Sequence, residues 1–95
     1  MKTIFKYELP VEGGPKDIML PRGAQVLSFD HQGDPSSVCM WALVNPDEPT
    51  KMAKTFYVVG TGHELPEPSK WTYMATVNYH PVPLVWHIFT ENLDG

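Results

Sequence analysis

The chain has 95 residues, a formal net charge of −4 at pH 7 and a single cysteine. Domains cluster at about 100–150 residues, so we predict one domain over residues 1–95. Seven basic against eleven acidic side chains argue against duplex nucleic-acid binding by charge alone, which depends on phosphate neutralisation. Because Cys39 stands alone, a disulfide within the chain and a four-cysteine zinc site are excluded.

The apolar runs of the chain are short. The longest, residues 38–44, falls far short of the roughly 20 residues that a membrane-spanning helix needs. Charged residues also interrupt the N-terminal stretch before it reaches the length of a signal peptide. We therefore expect no membrane association and a cytoplasmic location.

Ten prolines and seven glycines divide the chain into short segments. Proline removes a backbone donor and glycine allows a positive φ, so their clusters predict turns. Between the clusters lie segments rich in β-branched and aromatic residues, which favour strands. In chain order these segments are 3–9, 17–20, 25–30, 38–44, 54–59, 71–78 and 84–90.

The pattern within these segments indicates their place in a sheet. Residues 71–78 alternate with a period of two, with Trp71, Tyr73, Ala75 and Val77 on one face. Residues 17–20 suit a short edge strand, and the apolar run 38–44 suits a central strand covered on both faces. We predict an all-β fold, a small antiparallel β-sandwich or barrel of about seven short strands.

One segment has some helical character. Residues 47–54 have an acidic start and a basic end, which would suit the helix dipole. Pro49 confines such a helix to one or two turns. We therefore predict at most one short helical turn, near residues 47–54.

The strongest candidate site is the loop Gly60, Thr61, Gly62, His63 and Glu64. Two glycines that flank a hydroxyl residue allow successive N–H groups to converge into an anion-binding concavity, and the histidine adds a donor that titrates near neutral pH. The alternative is a glycine bulge that ends a strand, with the histidine and glutamate bracing the loop or solvated. We add Arg22 to the candidate ligand-binding residues as a cation for an anionic group.

The residues typical of enzymes do not form a recognisable pattern. His80 and His87 are too far apart for a paired metal motif, so we expect no metal and no cofactor. His87 shares a strand face with Val85 and Phe89, which favours a buried histidine bonded to a backbone carbonyl. Cys39 lies in the most apolar strand, where burial raises the pKa of a thiol and keeps it inert. We expect no enzymatic activity.

The aromatic residues suggest contacts beyond one small core. The run 38–44 shows apolar side chains to both faces, which favours a homodimer or a larger symmetric oligomer. Aromatic rings near Arg22, Lys54 or Lys70 also suit nucleobase stacking. The alternative is that these side chains lay their apolar stems along buried rings.

Several segments, in their order along the chain, resemble a family of uncharacterised short proteins from bacteriophages and prophages. The segments that carry the resemblance are Leu20-Pro21-Arg22-Gly23, Met40-Trp41-Ala42-Leu43-Val44, Gly60-Thr61-Gly62-His63 and Leu84-Val85-Trp86-His87-Ile88-Phe89. The resemblance spans almost the whole chain and implies a phage origin. It implies no catalytic residues, and it raises the expectation of an interaction role.

These observations together favour a non-catalytic phage accessory protein. We expect it to bind a host protein or a small anionic, nucleotide-like ligand stoichiometrically in the bacterial host cytoplasm, and thereby to counteract host defence. One alternative is a structural or assembly protein of the virion. A second alternative is a small hydrolase that uses His63 and Glu64 or a metal ion.

Overall fold

A computed structural model describes residues 1–80 and 82–92. Pro81 and residues 93–95, which belong to the predicted domain 1–95, lie outside the described residues. The predicted all-β sandwich of about seven short strands is confirmed. The strands are β1 (Thr3–Pro10), β2 (Lys16–Pro21), β3 (Gln25–Asp30), β4 (Ser37–Val44), β5 (Lys51–Gly60), β6 (Trp71–Tyr79) and β7 (Leu84–Glu91).

The strands form two antiparallel sheets. The first sheet has the order β1-β4-β3 and the second has the order β2-β5-β7-β6. As expected, β4 is a central strand and β2 is an edge strand. Both β5 and β6 pair antiparallel with β7, so they run parallel to each other and their connection, residues 61–70, has to pass β7. This connection contains most of the candidate loop.

The core lies between the two sheets and is built from alternate residues of the strands. Its largest fully buried side chains include Leu9 and Met40 from the first sheet and Phe56 and Ile88 from the second. The Phe56 ring meets the Phe29 ring across the sheets at 6.1 Å, edge to face. The period of two that is visible in the sequence therefore places the apolar side chains where the two sheets meet.

The outer face of β4 is only partly shielded from solvent, and neither of the two sheets packs over it. Cys39 points away from the core but is only 2% exposed, and burial raises the pKa of its thiol. Trp41 and Leu43, on the same face, are half-buried. The burial of Cys39 agrees with the expected rise in the pKa of its thiol, whereas the expected cover on both faces of β4 is complete only on the core side.

Two bulges change the faces that the sequence pattern assigns. In β6 the register shifts between Tyr73 and Ala75, so Met74 is an additional residue. As a result Trp71 and Tyr73 share the outer face with Phe89, whereas Val77 lies in the core. The predicted unbroken alternation over 71–78 is therefore wrong. A second bulge lies in β3, between Val26 and Ser28.

The only helical turn among the described residues is at Pro68–Lys70, not near 47–54. After β4 the chain turns where the Asn45 side chain accepts the Asp47 N–H at 3.1 Å. Residues 51–54 of the predicted turn instead open β5, where they pair with β2. A proline-containing turn thus precedes β5, which begins at Lys51, whereas the sequence pattern predicts a strand only over residues 54–59. No helix in the described part of the chain is long and apolar enough to cross a bilayer.

Candidate functional site

The predicted loop begins where β5 ends. The His63 N–H donates to the Gly60 carbonyl at 3.0 Å, and Gly62 has a φ of 87°. This is the geometry of a tight turn that needs glycine at its third position. The Thr61 N–H donates to the Val85 carbonyl at 3.3 Å. Two of the loop's N–H groups, those of Thr61 and His63, are therefore bonded to carbonyls within the protein. The expected convergence of these N–H groups on an anion is not seen.

Gly60 is required by close packing rather than by an unusual φ. A Cβ at this position would lie 2.9 Å from Nδ1 of His63 and 3.1 Å from Cζ3 of Trp86. The imidazole of His63 therefore folds back over the end of β5 and lies beside the indole of Trp86. The glycine allows the loop histidine and the strand tryptophan to form one surface.

His87 is bonded through both ring nitrogens, and its partners are hydroxyl groups. Its Nε2 lies 2.7 Å from Oγ1 of Thr61, and its Nδ1 lies 3.0 Å from Oγ1 of Thr76. The hydroxyl of Tyr73 in turn lies 2.6 Å from Oγ1 of Thr76. The expected backbone carbonyl partner of His87 is therefore replaced by two threonines, and the chain of hydrogen bonds ties the loop to β7 and β6.

This chain of hydrogen bonds could not be read from the sequence, because it depends on pairing between distant strands. Thr76 lies opposite His87 only because the bulge at Met74 shifts the register of β6. A strict period of two places Thr76 on the face opposite Tyr73. The bulge brings both hydroxyl groups to the same face.

The Thr61 hydroxyl and the His87 imidazole have the spacing of a nucleophile and its base. The group that orients His87 is a hydroxyl rather than a carboxylate. The N–H groups of Thr61 and His63 are bonded to carbonyls and do not act as oxyanion donors. Among residues 1–80 and 82–92, no group of three or more His, Cys, Asp or Glu residues is placed to hold a metal ion.

Around this loop the surface forms three adjoining concavities, which we call the Trp86 groove. The first, of about 520 Å³, and the second, of about 290 Å³, share Leu84 and Trp86. The second and the third, of about 220 Å³, share Gly60, Thr61 and His63. The groove therefore runs from the cleft between the sheets, past Trp86, to His87 on the outer face of the second sheet.

Two loops that bond to each other form the wall of the first concavity. The Val11 N–H donates to the Ser36 carbonyl at 3.0 Å. Ser36 also donates its hydroxyl and its N–H to the Asp34 carboxylate at 2.7 and 2.9 Å, which lowers the pKa of Asp34. These hydrogen bonds connect the two loops that form the wall opposite Leu84 and Trp86.

The structure brings together four of the six predicted binding residues. Gly60, Thr61, Gly62 and His63 line the groove. Glu64 follows them as an exposed residue and is not among the residues that line the three concavities.

Arg22 lies far from the loop. Its N–H donates to the Thr50 carbonyl, and its guanidinium lies 3.4 Å from the Glu48 carboxylate, beside the first residues of β5. Gly60 is at the other end of that strand, roughly 30 Å away at about 3.3 Å per residue. Arg22 and the glycine loop therefore do not form one site.

The ring of Trp71, next to Lys70, offers little surface for a nucleobase. Trp71 is only 9% exposed, and Nζ of Lys70 lies 5.7 Å from the centre of its ring. The Tyr57 ring covers it edge to face at 5.3 Å. The Lys70 ammonium lies against the Trp71 ring and 3.7 Å from the Glu91 carboxylate, so its described contacts are within the chain.

Replacing Gly60 with alanine is expected to displace His63 and to destabilise the protein by about 1 kcal/mol, because the new Cβ meets the imidazole. The cost should be smaller in a His63→Ala background, since the nearest obstacle is then absent. Urea unfolding of the wild type, the two single variants and the double variant measures this coupling. Equal costs of Gly60→Ala in the two backgrounds would show that His63 does not pack on Gly60.

Comparison with known proteins gives a family but no assigned activity. No curated protein and no solved structure matches the chain. Residues 1–94 match a family model described as Domain of unknown function (DUF7352), and the chain belongs to that family.

Proposed function

We propose that this protein is a non-catalytic binding module whose Trp86 groove takes an extended segment of a partner protein. The observation that carries the proposal is the continuity of the groove, in which three concavities meet at Trp86 and at the glycine loop. An extended segment places side chains on one face about 6.6 Å apart, so successive side chains can enter successive concavities.

The chemistry of the lining supports a protein segment as the ligand. Leu84, Val85 and Trp86 offer apolar surface. Thr61 and His63 offer polar atoms at the middle of the groove. A mostly apolar concavity with a few placed polar groups is typical of sites that bind side chains.

The same lining gives less support to a small anionic ligand. No lysine or arginine is among the described residues that line the groove, and its one carboxylate, Glu12, lies in the first concavity. A phosphate group would need cations or free N–H donors there. A partner segment with a basic residue near Glu12 fits the charge better.

The origin and the setting belong to the same proposal. The resemblance to short phage and prophage proteins supports a phage origin and action in the bacterial host cytoplasm. A stoichiometric binder of a host protein that counteracts host defence is consistent with a groove whose described residues form no complete catalytic arrangement. A structural role in the virion is the competing function, and mass spectrometry of purified particles separates the two.

Selection of peptides from a displayed library of random dodecamers tests the proposal directly. We expect enriched peptides to share an apolar or aromatic residue and to bind the wild type with micromolar affinity. His63→Ala should weaken this binding about ten-fold or more, as a contact residue at the middle of an interface does. Arg22→Ala is the matched control, because Arg22 lies at the opposite end of β5, and it should leave the affinity unchanged.

A panel of nucleotides is measured beside the peptides by calorimetry. Failure to enrich any peptide, or equal effects of His63→Ala and Arg22→Ala, would contradict the proposed groove. Tight nucleotide binding that depends on His63 would instead support the small anionic ligand.

A further inference from the structure

The outer face of the first sheet carries an ordered pattern of charges around a tryptophan. Because β1, β4 and β3 are in register, their outward side chains form rows across the sheet. One row is Lys6, Trp41 and Ser28, and the next is Glu8, Cys39 and Asp30. We call these two rows and their flanks the Trp41 face. Ile4, in the row beyond Lys6, is 55% exposed.

The Lys6 side chain contacts a neutral amide rather than a carboxylate among the described residues. Its Nζ donates to the neutral Oε1 of Gln32 at 2.8 Å, and both side chains are exposed. Glu8 lies on the same strand two residues along and is exposed too. The Trp41 face therefore presents one positive and one negative side chain on β1, one row apart.

We propose that the Trp41 face pairs with the Trp41 face of a second copy of this chain. The pairing uses a two-fold axis that lies between the two faces, perpendicular to the strands and midway between the two rows. Under this operation Lys6 of each copy meets Glu8 of the other, and Ser28 meets Asp30. Trp41 lies over the small Cys39 side chain of the other copy, so the largest and the smallest central residues of the rows fit together.

Charge selects this arrangement over the other face-to-face dimer. A two-fold axis parallel to the strands leaves each row opposite the same row and brings Glu8 over Asp30. Like charges opposed across an interface are unfavourable. With the perpendicular axis, Glu8 instead forms an ion pair with Lys6 of the second copy, and Asp30 instead accepts a hydrogen bond from Ser28 of the second copy.

The size of the face sets the expected affinity. Three strands about 4.8 Å apart and up to eight residues long at about 3.3 Å per residue give a flat area of about 380 Å² per copy, or about 760 Å² for the two copies together. This total is below the roughly 1,000 Å² that stable interfaces bury, so we expect a weak dimer that dissociates at about 100 μM. The proposal is independent of the Trp86 groove, since none of the six row residues lines it.

Charge reversal tests the pairing through sedimentation equilibrium of the full chain from low micromolar to submillimolar concentration. Lys6→Glu places glutamates at both ends of each proposed pair, and Glu8→Lys places lysines there. Each variant alone should raise the dimer dissociation constant about ten-fold or more. An equimolar mixture of the two should form a heterodimer with wild-type affinity, because each pair then contains one glutamate and one lysine.

The mixture separates the proposal from simple misfolding, since an unfolded variant would not be rescued by another. Lys51→Glu, a reversal of an exposed lysine on β5 of the other sheet, is the matched control and should leave the wild-type association unchanged. A wild type that is monomeric throughout the concentration range would overturn the proposal. A dimer that is unaffected by Lys6→Glu and Glu8→Lys, or a mixture that stays monomeric, would overturn it as well.

Discussion

Replacing Phe56 with alanine is expected to lower the free energy of unfolding by about 3–5 kcal/mol. Phe56 is 1% exposed on β5, which lies in the interior of the second sheet, and its ring meets Phe29 across the core. The truncation removes the largest fully buried side chain and leaves a cavity between the sheets. Domains of this length have a total stability of about 5–14 kcal/mol, so the variant loses a large share of it.

Urea unfolding followed by far-ultraviolet circular dichroism measures the loss. Phe5→Ala is the matched control. Phe5 lies on the face of the first sheet that is turned toward the second sheet, but it is 40% exposed. We expect Phe5→Ala to cost less than half as much as Phe56→Ala. Similar costs for the two variants would mean that the interface between the sheets is not centred where the structure has it.

Leu84→Glu is expected to abolish peptide binding to the Trp86 groove, with a loss of about 100-fold or more in affinity. Leu84 lines both the first and the second concavity, so a carboxylate there becomes desolvated when a peptide binds. The leucine is 37% exposed in the free protein, so the substitution should change stability by about 1 kcal/mol or less.

The matched control is Leu27→Glu, which changes a leucine of 45% exposure on β3. Fluorescence anisotropy of a labelled peptide from the library selection measures both variants. We expect Leu27→Glu to bind as the wild type does. Equal binding by Leu84→Glu and wild type would place the peptide outside the groove.

The strands could be predicted because their signal is local. Residues 25–30 coincide with β3, and 38–44 lie within β4, since turns rich in proline and glycine bound both segments. The bulge at Met74 could not be predicted, because an inserted residue keeps the composition of a strand and changes only its pairing. The helical turn at Pro68–Lys70 lies in a segment whose prolines read as a loop.

The candidate site could be predicted only where it lies on one segment. The glycine loop is visible in the sequence because its glycines serve a turn and a close approach. Its contact with Trp86 and the bond from Thr61 to His87 depend on the pairing of β5 with β7, across 26 residues in the case of His87. The charge of Arg22 is the reason for predicting it as part of the same site as the loop. Only the length of β5 shows that Arg22 and the loop are far apart.

The groove and the charge rows follow from the same physical cause. Each combines side chains from strands that are distant in sequence and adjacent in a sheet, and register alone decides which residues meet. The two surfaces are separate, so a protein that fails to dimerise can still bind a peptide. The two proposals are therefore tested independently.

The most direct measurement of the central claim is an amide chemical-shift titration of the ¹⁵N-labelled protein with a peptide from the library selection. The proposed binding mode predicts the largest shifts at residues 60–63 and 84–87, where the concavities join. It predicts no shift at residues 21–24, at the opposite end of β5. Shifts concentrated at residues 21–24, or spread over the outer face of the first sheet with none at 60–63, would contradict it.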